Sequence, residues 1–404
     1  MNLSFDFPTE TIVEGKAKVS VPKLKAFVKK VWEYAPSKAP VFYNPVMELN
    51  RDLAVLALQA FQKKIGKPLF VCEPLTGCGL RGIRFALEVE GVRKVVLNDI
   101  SSEAVKLARF NVKQNRLTKK VTVKNMDANL LLAQHGAPHK RFDFIDLDPF
   151  GSPVPYLDSA VRALCDGGLL ALTATDMAPL CGVHPKACLR KYGGKPLRTE
   201  YCHELAVRLL AGCLAIIAAK HDIGIEVLFS HCTDHYIRVY AIIHYGARKA
   251  DKSLQNMGYV LHCFNCLHRE TMKELFSAQK QCSQCGFTLN YAGPLWLGKI
   301  LDADFCVAME KETEEKLFAQ AKRIHKLLSH AREEANASAT YFVVDKFCDK
   351  LGIPTPALDK VMNELEKAGF KASPTHFNSR GIRTNAPAKF LKEILCKLGL
   401  NSTN

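Results

Sequence analysis

No apolar run in the 404-residue chain approaches the ~18 residues that a membrane span needs, so no membrane-embedded protein is expected. The opening residues, Met1-Asn2-Leu3-Ser4-Phe5-Asp6, carry an early acid and no apolar stretch, so no secretory leader is expected either. Internal repeats and low-complexity tracts are absent. With 48% apolar and 24% charged residues the mix is an ordinary globular one, which excludes a disordered chain, a collagen and a coiled-coil rod. Acids are scarce relative to bases: 40 Asp and Glu stand against 56 Lys and Arg, a net charge of +16. Such an excess suits an anionic partner, nucleic acid or an acidic membrane surface, without choosing between them. The 15 cysteines are an odd number in a chain too large to depend on disulfides. They point to a reducing compartment, a cytoplasmic protein, and cysteines serving as core residues or metal ligands.

At roughly 150 residues per domain, the length allows two or three domains. Residues 1–66 read as a lead-in packed on the catalytic domain, basic around Lys16, Lys18, Lys23, Lys25, Lys29 and Lys30 and ending in a helix over 47–64. Residues 67–245 alternate strand, turn and helix. Strands are expected at 69–73, 94–99, 121–123, 142–148 and 168–173, with helices at 79–87 and from Ser101 or Ser102 to about 115. That alternation is the signature of a doubly wound parallel sheet. A long helix over 198–220 precedes two β-rich runs, 224–230 and 237–244, that can close the sheet antiparallel. Residues 246–404 form a C-terminal domain with a cysteine module at about 260–290, a helix over 311–334 and a small helical tail with a β-wing.

Gly77, Gly79 and Gly82 spell G-x-G-x-x-G directly after the first strand. Glycines there allow a tight turn and close approach of a ligand. Asp99 ends the second strand, where a carboxylate accepts hydrogen bonds from two ribose hydroxyls. Nicotinamide and S-adenosylmethionine (AdoMet) enzymes share this arrangement. The acid before the turn, Glu73, favours AdoMet, whose sulfonium and amine are positive where NAD carries a pyrophosphate. Asp127, after the third strand, is placed to accept from an adenine amine.

Asp148-Pro149-Phe150-Gly151 closes the fourth strand, at the edge where doubly wound sheets bind ligands. It resembles the motif of amino methyltransferases. An exocyclic base amine is a poor nucleophile because its lone pair is delocalised into the ring. A carboxylate accepting its N–H localises that pair and later takes the proton, and an aromatic supplies a stacking face. Asp146 shares the strand face with Asp148 and is the fallback.

Cys263-x-x-Cys266 and Cys282-x-x-Cys285, 15 residues apart, have the spacing of a closed, structural four-thiolate zinc site. The other 11 cysteines read as core or inert, and His262 and His268 as bystanders. Residues 184–198 hold five Lys or Arg and no acid. Residues 371–404 hold Lys371, Arg380, Arg383, Lys389, Lys392 and Lys397 against Glu393 alone. Basic loops near a catalytic edge suit a phosphate backbone.

Taken together, Phe42-Tyr43-Asn44-Pro45 through Asn50-Arg51-Asp52, Gly79-Leu80-Arg81-Gly82-Ile83-Arg84-Phe85, Asp146-Leu147-Asp148-Pro149-Phe150-Gly151-Ser152-Pro153, Arg190-Lys191-Tyr192 through Thr199-Glu200-Tyr201-Cys202-His203-Glu204, Gly293-Pro294-Leu295-Trp296-Leu297-Gly298 and Thr375-His376-Phe377 resemble the tRNA guanine-26 N2-dimethyltransferase family. The resemblance covers most of the chain. It implies a class I (Rossmann-like) α/β AdoMet-dependent methyltransferase domain followed by a zinc-containing α+β C-terminal domain. It implies transfer of one then two methyl groups to N2 of a tRNA guanine. Arg51 and Arg81 are then AdoMet contacts, with Asp99, Asp127 and Ala128 lining ribose and adenine. Asp148 is the catalytic carboxylate and Phe150 stands beside the base. The glycine turn, Thr76-Gly77-Cys78, departs from the Ser or Ala common in the family, and Pro374 stands where a basic residue is expected. The chain lacks the long extensions of eukaryotic members, as a compact archaeal or bacterial form does. The competing readings are an AdoMet enzyme acting on another RNA base amine, an NAD-dependent oxidoreductase, and a non-catalytic zinc RNA-binding protein.

Overall fold

The computed structural model describes residues 5–28, 35–275, 280–316 and 318–400. Lys29 and Lys30 of the basic lead-in lie outside them. The lead-in is an antiparallel hairpin, β1 (Thr9–Glu14) and β2 (Ala17–Pro22), followed by α1 (Glu48–Ile65). Every residue of α1 from Leu49 to Phe61 is buried, polar ones included, so this helix runs inside the molecule.

From Leu69 the expected alternation is present: β3 (Leu69–Glu73), α2 (Leu80–Glu88), β4 (Val92–Asp99), α3 (Ser102–Gln114), β5 (Val121–Asn125), α4 (Ala128–Gln134), β6 (Phe142–Leu147), α5 (Val154–Ala163) and β7 (Leu164–Ala174). Ser101 caps α3, its hydroxyl accepting from the Ala104 N–H at 3.3 Å. Two short helices, α6 (Met177–Leu180) and α7 (Pro185–Tyr192), lead to α8 (Cys202–Ala219) and to the hairpin β8 (Ile223–Thr233) and β9 (Tyr236–Tyr245). The strand order is β5-β4-β3-β6-β7-β9-β8. The first five strands are parallel and the last two join antiparallel through β9. Near-continuous burial of β6 and β7 is what helices on both faces of a sheet require.

α9 (Ala247–Leu254) leads to a three-stranded sheet of β10 (Met257–His262), β11 (Arg269–Met272) and β12 (Asn290–Trp296). The helix expected over 311–334 is instead two helices, α10 (Ala303–Glu315) and α11 (Ala321–Glu334). The chain breaks at Lys316, which is extended and donates to the Glu88 carbonyl at 2.9 Å, and Phe318 turns into the core. The tail is β13 (Phe342–Val343), α12 (Val344–Leu351), α13 (Leu358–Lys367), the hairpin β14 (Ala372–Thr375) and β15 (Asn378–Thr384), and α14 (Ala388–Leu400).

Buried apolar residues fall into two groups. The larger runs from Phe7 through the central sheet to Ala335 and takes in Tyr341, Val343 and Phe377. The smaller unites the tail around Phe347, Val361, Ile382 and Leu391, and includes Leu267 from the cysteine module. Between the two lies a buried charge cluster. Glu204 on α8 accepts from Arg208 at 2.8 Å and pairs with Arg383 of β15 at 3.0 Å. Arg383 also holds Glu334, which accepts from Thr375 at 2.6 Å and from His376. Thr375-His376-Phe377 therefore anchors the tail rather than facing RNA. Of the tail's basic residues, Arg383 is spent here and Arg380 pairs with Asp345 at 2.9 Å.

The expectation on membrane spans needs correction. Among the described residues one helix, α8, is long and apolar enough to cross a membrane, and most of it is buried inside the molecule. It reads as shorter in sequence because Glu204 and Arg208, needed by the charge cluster, interrupt it.

Candidate active site

The carboxyl edge of the sheet gathers most of the residues singled out above. Gly77 and Gly79 have φ of +55° and +82°, the left-handed region that glycine enters without strain. A Cβ at Gly82 would meet Leu97 at 2.2 Å, so α2 packs onto β4 only without one. Asp99 closes the turn from the far side. One of its carboxylate oxygens accepts the Gly77 N–H at 2.8 Å and the other the Ser101 N–H at 2.9 Å. Asn98, fully buried, donates to the carbonyls of Pro74 and Met126, both at 3.0 Å, and so fixes the turn against the end of β5. Asp127 caps α4, accepting from Leu130 N–H at 3.0 Å, and Ala128 is buried beneath it.

Glu73 plays a different part from the one its sequence position suggests. It is buried and accepts from the Thr76 hydroxyl at 2.6 Å and the Gly82 N–H at 3.0 Å. Burial pushes its carboxyl up to about 8, against the Arg81 charge and these hydrogen bonds. Through these two hydrogen bonds the Glu73 carboxyl ties the start of the turn to the start of α2.

Past β6, Asp148 keeps 20% of its side chain exposed while Asp146 keeps none. Asp146 is locked by Arg238, whose guanidinium also reaches the Thr173 hydroxyl at 2.5 Å and the Tyr240 hydroxyl at 2.7 Å. Asp146 is thus a core ion pair with no face toward a substrate. Asp148 is held by Arg81, which donates its other nitrogen to Asn50 Oδ1 at 2.6 Å. Burial works against the Asp148 charge, but Arg81, Arg238 and the Thr173 hydroxyl outweigh it and hold its carboxyl below the usual range. Phe150 is 67% exposed, with its ring edge-on to Phe42 at 4.4 Å. The Phe42 carbonyl lies 3.0 Å from where a Gly77 Cβ would stand, so Phe42 links the glycine turn to Phe150. The Gly151 N–H donates to Thr175 Oγ1 at 2.8 Å and the Thr175 N–H donates to the Gly151 carbonyl at 2.9 Å, which fixes this loop against the end of β7.

Arg51, within electrostatic reach of Cys78 in the glycine turn, is held in place by a buried acid. Both arms of its guanidinium grip Glu14 at 2.6 Å and a third nitrogen donates to the Asn44 carbonyl at 3.1 Å. It belongs to a buried network with Arg84, Asp52 and Glu88. The roles of Asn50, Asn98, Phe42, Thr175 and Arg238 are not visible in sequence, since each acts through a partner distant in the chain.

The basic stretch 184–198 is mostly the helix α7, not a loop. Lys191 pairs with Asp176 at 2.9 Å and Tyr192 donates to the same carboxylate at 2.5 Å, while Arg198 stays exposed.

Family membership is decided by the whole sequence. The model of the family "N2,N2-dimethylguanosine tRNA methyltransferase" matches residues 15–396. The chain belongs to that family. A tRNA (guanine(26)-N(2))-dimethyltransferase of Methanobrevibacter smithii is 44% identical over 391 residues, 96% of this chain and 98% of the relative. A tRNA (guanine(26)-N(2)/guanine(27)-N(2))-dimethyltransferase of Aquifex aeolicus is 37% identical over 380 residues, 93% of each chain. The solved structure of Trm1 from Pyrococcus horikoshii, a complex with S-adenosyl-L-methionine, superposes with a TM-score of 0.84 at 37% identity, covering 96% of this chain and 99% of that one. The family membership expected from the motifs is therefore established, and the α/β fold with a mixed sheet matches that of a family member holding AdoMet.

The paired cysteines of the C-terminal part converge. The four sulfurs of Cys263, Cys266, Cys282 and Cys285 lie within 4.8 Å of one another, with Cys263 to Cys285 at 3.5 Å and Cys266 to Cys282 at 3.6 Å. A tetrahedral ion with bonds of ~2.3 Å sets sulfurs roughly 3.8 Å apart, so the set fits zinc. The two knuckles share one backbone pattern: Cys263 N–H donates to the His268 carbonyl at 2.8 Å, and Cys282 N–H to the Phe287 carbonyl at 2.7 Å. His262 packs against Tyr201 and Phe264, and neither it nor His268 joins the four sulfurs.

Proposed function

We propose that this chain is an AdoMet-dependent tRNA (guanine-N2)-dimethyltransferase that adds one and then two methyl groups at position 26. The observation that carries the reading is Asp148, partly exposed beyond β6, beside the exposed face of Phe150, in a chain of this family. AdoMet, when bound, supplies an electrophilic methyl group. The residues that would hold it are the backbone around Gly77 and Gly79, Asp99 at the ribose, and Asp127 and Ala128 at the adenine. Exposed Ile100 and Leu130, next to these acids, offer apolar walls for the ring. Arg81 bridges the cofactor side and Asp148. Arg51, beside the glycine turn at Cys78, is on this reading a further AdoMet contact, oriented by Glu14 and Asn44.

Phe150 stacks on the guanine and Asp148 accepts an N–H of its N2, drawing the lone pair toward the methyl donor. A carboxylate held below its usual range is a poor base toward a neutral amine. It suffices here because the proton departs only once the nitrogen has gained a methyl and become strongly acidic. Rotation of the monomethylated amine presents its remaining hydrogen for the second transfer. A base must leave its stack to reach such a pocket, which is cheapest at a junction between helices.

The reading extends to the rest of the chain. Residues 67–245 form the catalytic unit, preceded by the lead-in, and 246–404 a C-terminal unit in which Cys263, Cys266, Cys282 and Cys285 hold one structural zinc. Leu267, inside the first knuckle, packs into the tail's own core, so the ion would brace the tail. The Cys263→Ser variant is expected to lose zinc and thermal stability together, because metal binding and local folding are coupled. Elemental analysis of protein purified without chelator checks this; a zinc-free wild type refutes it.

Calorimetry separates the AdoMet reading from the nicotinamide one. Asp99→Ala should weaken AdoMet by about 1.5–3 kcal/mol, roughly ten- to a hundredfold, with tRNA affinity unchanged. Part of that loss comes from freeing the Gly77 N–H that Asp99 now holds. Tight NAD binding by the wild type contradicts the reading.

Binding of tRNA should fall steeply with salt, as each phosphate contact releases condensed counterion. Lys191 is already paired with Asp176. Charge reversal at exposed Lys186, Arg190 and Arg198 should therefore weaken all tRNAs alike and flatten the salt slope, leaving the methylated base unchanged. A redirected methylation would show that this face reads sequence or shape.

A further inference from the structure

Not all of the cysteines outside the paired knuckles are isolated. We infer that Cys181, Cys202 and His203 form a second metal site, one that takes a thiophilic divalent cation of the zinc class and leaves a fourth position open to water. The two sulfurs and an imidazole nitrogen lie within 4.8 Å of one another, and all three residues are half-buried. Among the described residues, only this set and the paired knuckles bring three or more such donors so close. Tetrahedral zinc asks for sulfurs roughly 3.8 Å apart and a sulfur–nitrogen spacing only slightly shorter, so closing the site takes side-chain shifts on the order of 1 Å.

The donors come from two elements that the fold already presses together. Cys181 ends α6, its N–H donating to the Met177 carbonyl at 2.8 Å. Cys202 and His203 are the first two residues of α8. A Cβ on Gly182 would stand 2.8 Å from the Arg198 nitrogen, so the turn after Cys181 lies directly on the chain entering α8. The start of an 18-residue helix favours a thiolate on Cys202. A cation bound there would release the thiol protons to solvent. Cys232 on β8 lies within electrostatic reach of both sulfurs, and Cys188 on α7 within reach of Cys181.

The position gives the ion a structural consequence at the catalytic edge. Thr175 supports the loop after Asp148 through its two hydrogen bonds with Gly151. Six residues later Cys181 would be pinned to α8. The segment supporting the Asp148 loop would then be fixed at both ends. The spacing of 181, 202 and 203 matches no ligand motif, which is why the sequence shows only scattered cysteines.

Metal content of the full-length protein tests this. Wild type purified without chelator and given zinc should hold about two ions per chain, and Cys181→Ser with Cys202→Ser about one. Cobalt in that double variant should show a four-thiolate spectrum, and cobalt in Cys263→Ser with Cys282→Ser a weaker two-thiolate one. Should the latter variant fail to fold, thiol alkylation of the wild type decides. Zinc should protect Cys181 and Cys202, and stripping the metal should expose them. A wild type with one ion that is unchanged by the Cys181 and Cys202 substitutions overturns the site. So does equal alkylation of these thiols with and without zinc, or a Cys181–Cys202 disulfide forming in zinc-loaded protein.

Discussion

Replacing Asp148 by alanine is expected to lower methyl transfer about 10²- to 10⁴-fold while changing AdoMet affinity little. On the proposed reading the carboxylate faces the amine, and its loss frees Arg81 to remain on the cofactor side. Single-turnover rates with tRNA, paired with AdoMet calorimetry, measure the two effects separately. The pH profile adds a sign. Asp148 is held below the carboxylate range, so its active, charged form persists to low pH. The transfer step should stay flat with respect to this group from about pH 5 to 8 and decline only as pH falls toward the lowered value. Full activity in Asp148→Ala would remove its catalytic role. The activity would not pass to Asp146, which has no exposed side-chain surface and is neutralised by Arg238; the Asp146→Ala variant should instead be unstable.

Arg383→Ala should be the most destabilising single change in the C-terminal part, costing roughly 3–5 kcal/mol. It leaves the carboxylates of Glu204 and Glu334 buried with half their partners gone. Lys397→Ala, which removes an exposed pair with Glu364 at 3.4 Å, should change stability by less than about 0.5 kcal/mol. Urea unfolding of both variants makes the comparison; equal effects would mean the cluster is not what anchors the tail. The cluster also sets an acid limit. Burial opposes the Glu334 charge, but Arg383 and His376 overcome it and hold the carboxyl down to about 2. Its folded pKa lies below its unfolded value near 4.5, so its contribution is complete above that value and is lost as pH falls toward 2.

How much of the molecule is legible in its sequence depends on range. The strands of the sheet, the Ser101 cap and the glycine turn are local patterns of apolar spacing and turn chemistry, and each lies within a residue or a few of where those patterns place it. β7 is the exception, running four residues upstream of its apolar core because Leu164 pairs with Phe142. Likewise the spacing of Cys263, Cys266, Cys282 and Cys285 anticipates their convergence, because short knuckles place the sulfurs regardless of context. The misreadings concern charges whose partners the local pattern does not show. In sequence Lys191 and Arg383 look free for phosphate; the fold places Asp176, Glu204 and Glu334 beside them. Glu73 looks like a charge for the cofactor, and the fold surrounds it with Thr76 and a buried turn. The break between α10 and α11 is hidden because the intervening Lys316 suits a helix, while its contact with Glu88 is 228 residues away.

The central claim is that Asp148 and Phe150 deliver a guanine N2 to an AdoMet methyl group. Mass analysis of nucleosides from unmodified tRNA incubated with the protein and AdoMet tests it most directly. The structure and family lead to N2-methylguanosine appearing first and N2,N2-dimethylguanosine replacing it, with the modification mapping to position 26. Methyl groups on another base, or none in tRNA under conditions where AdoMet binds, would contradict it.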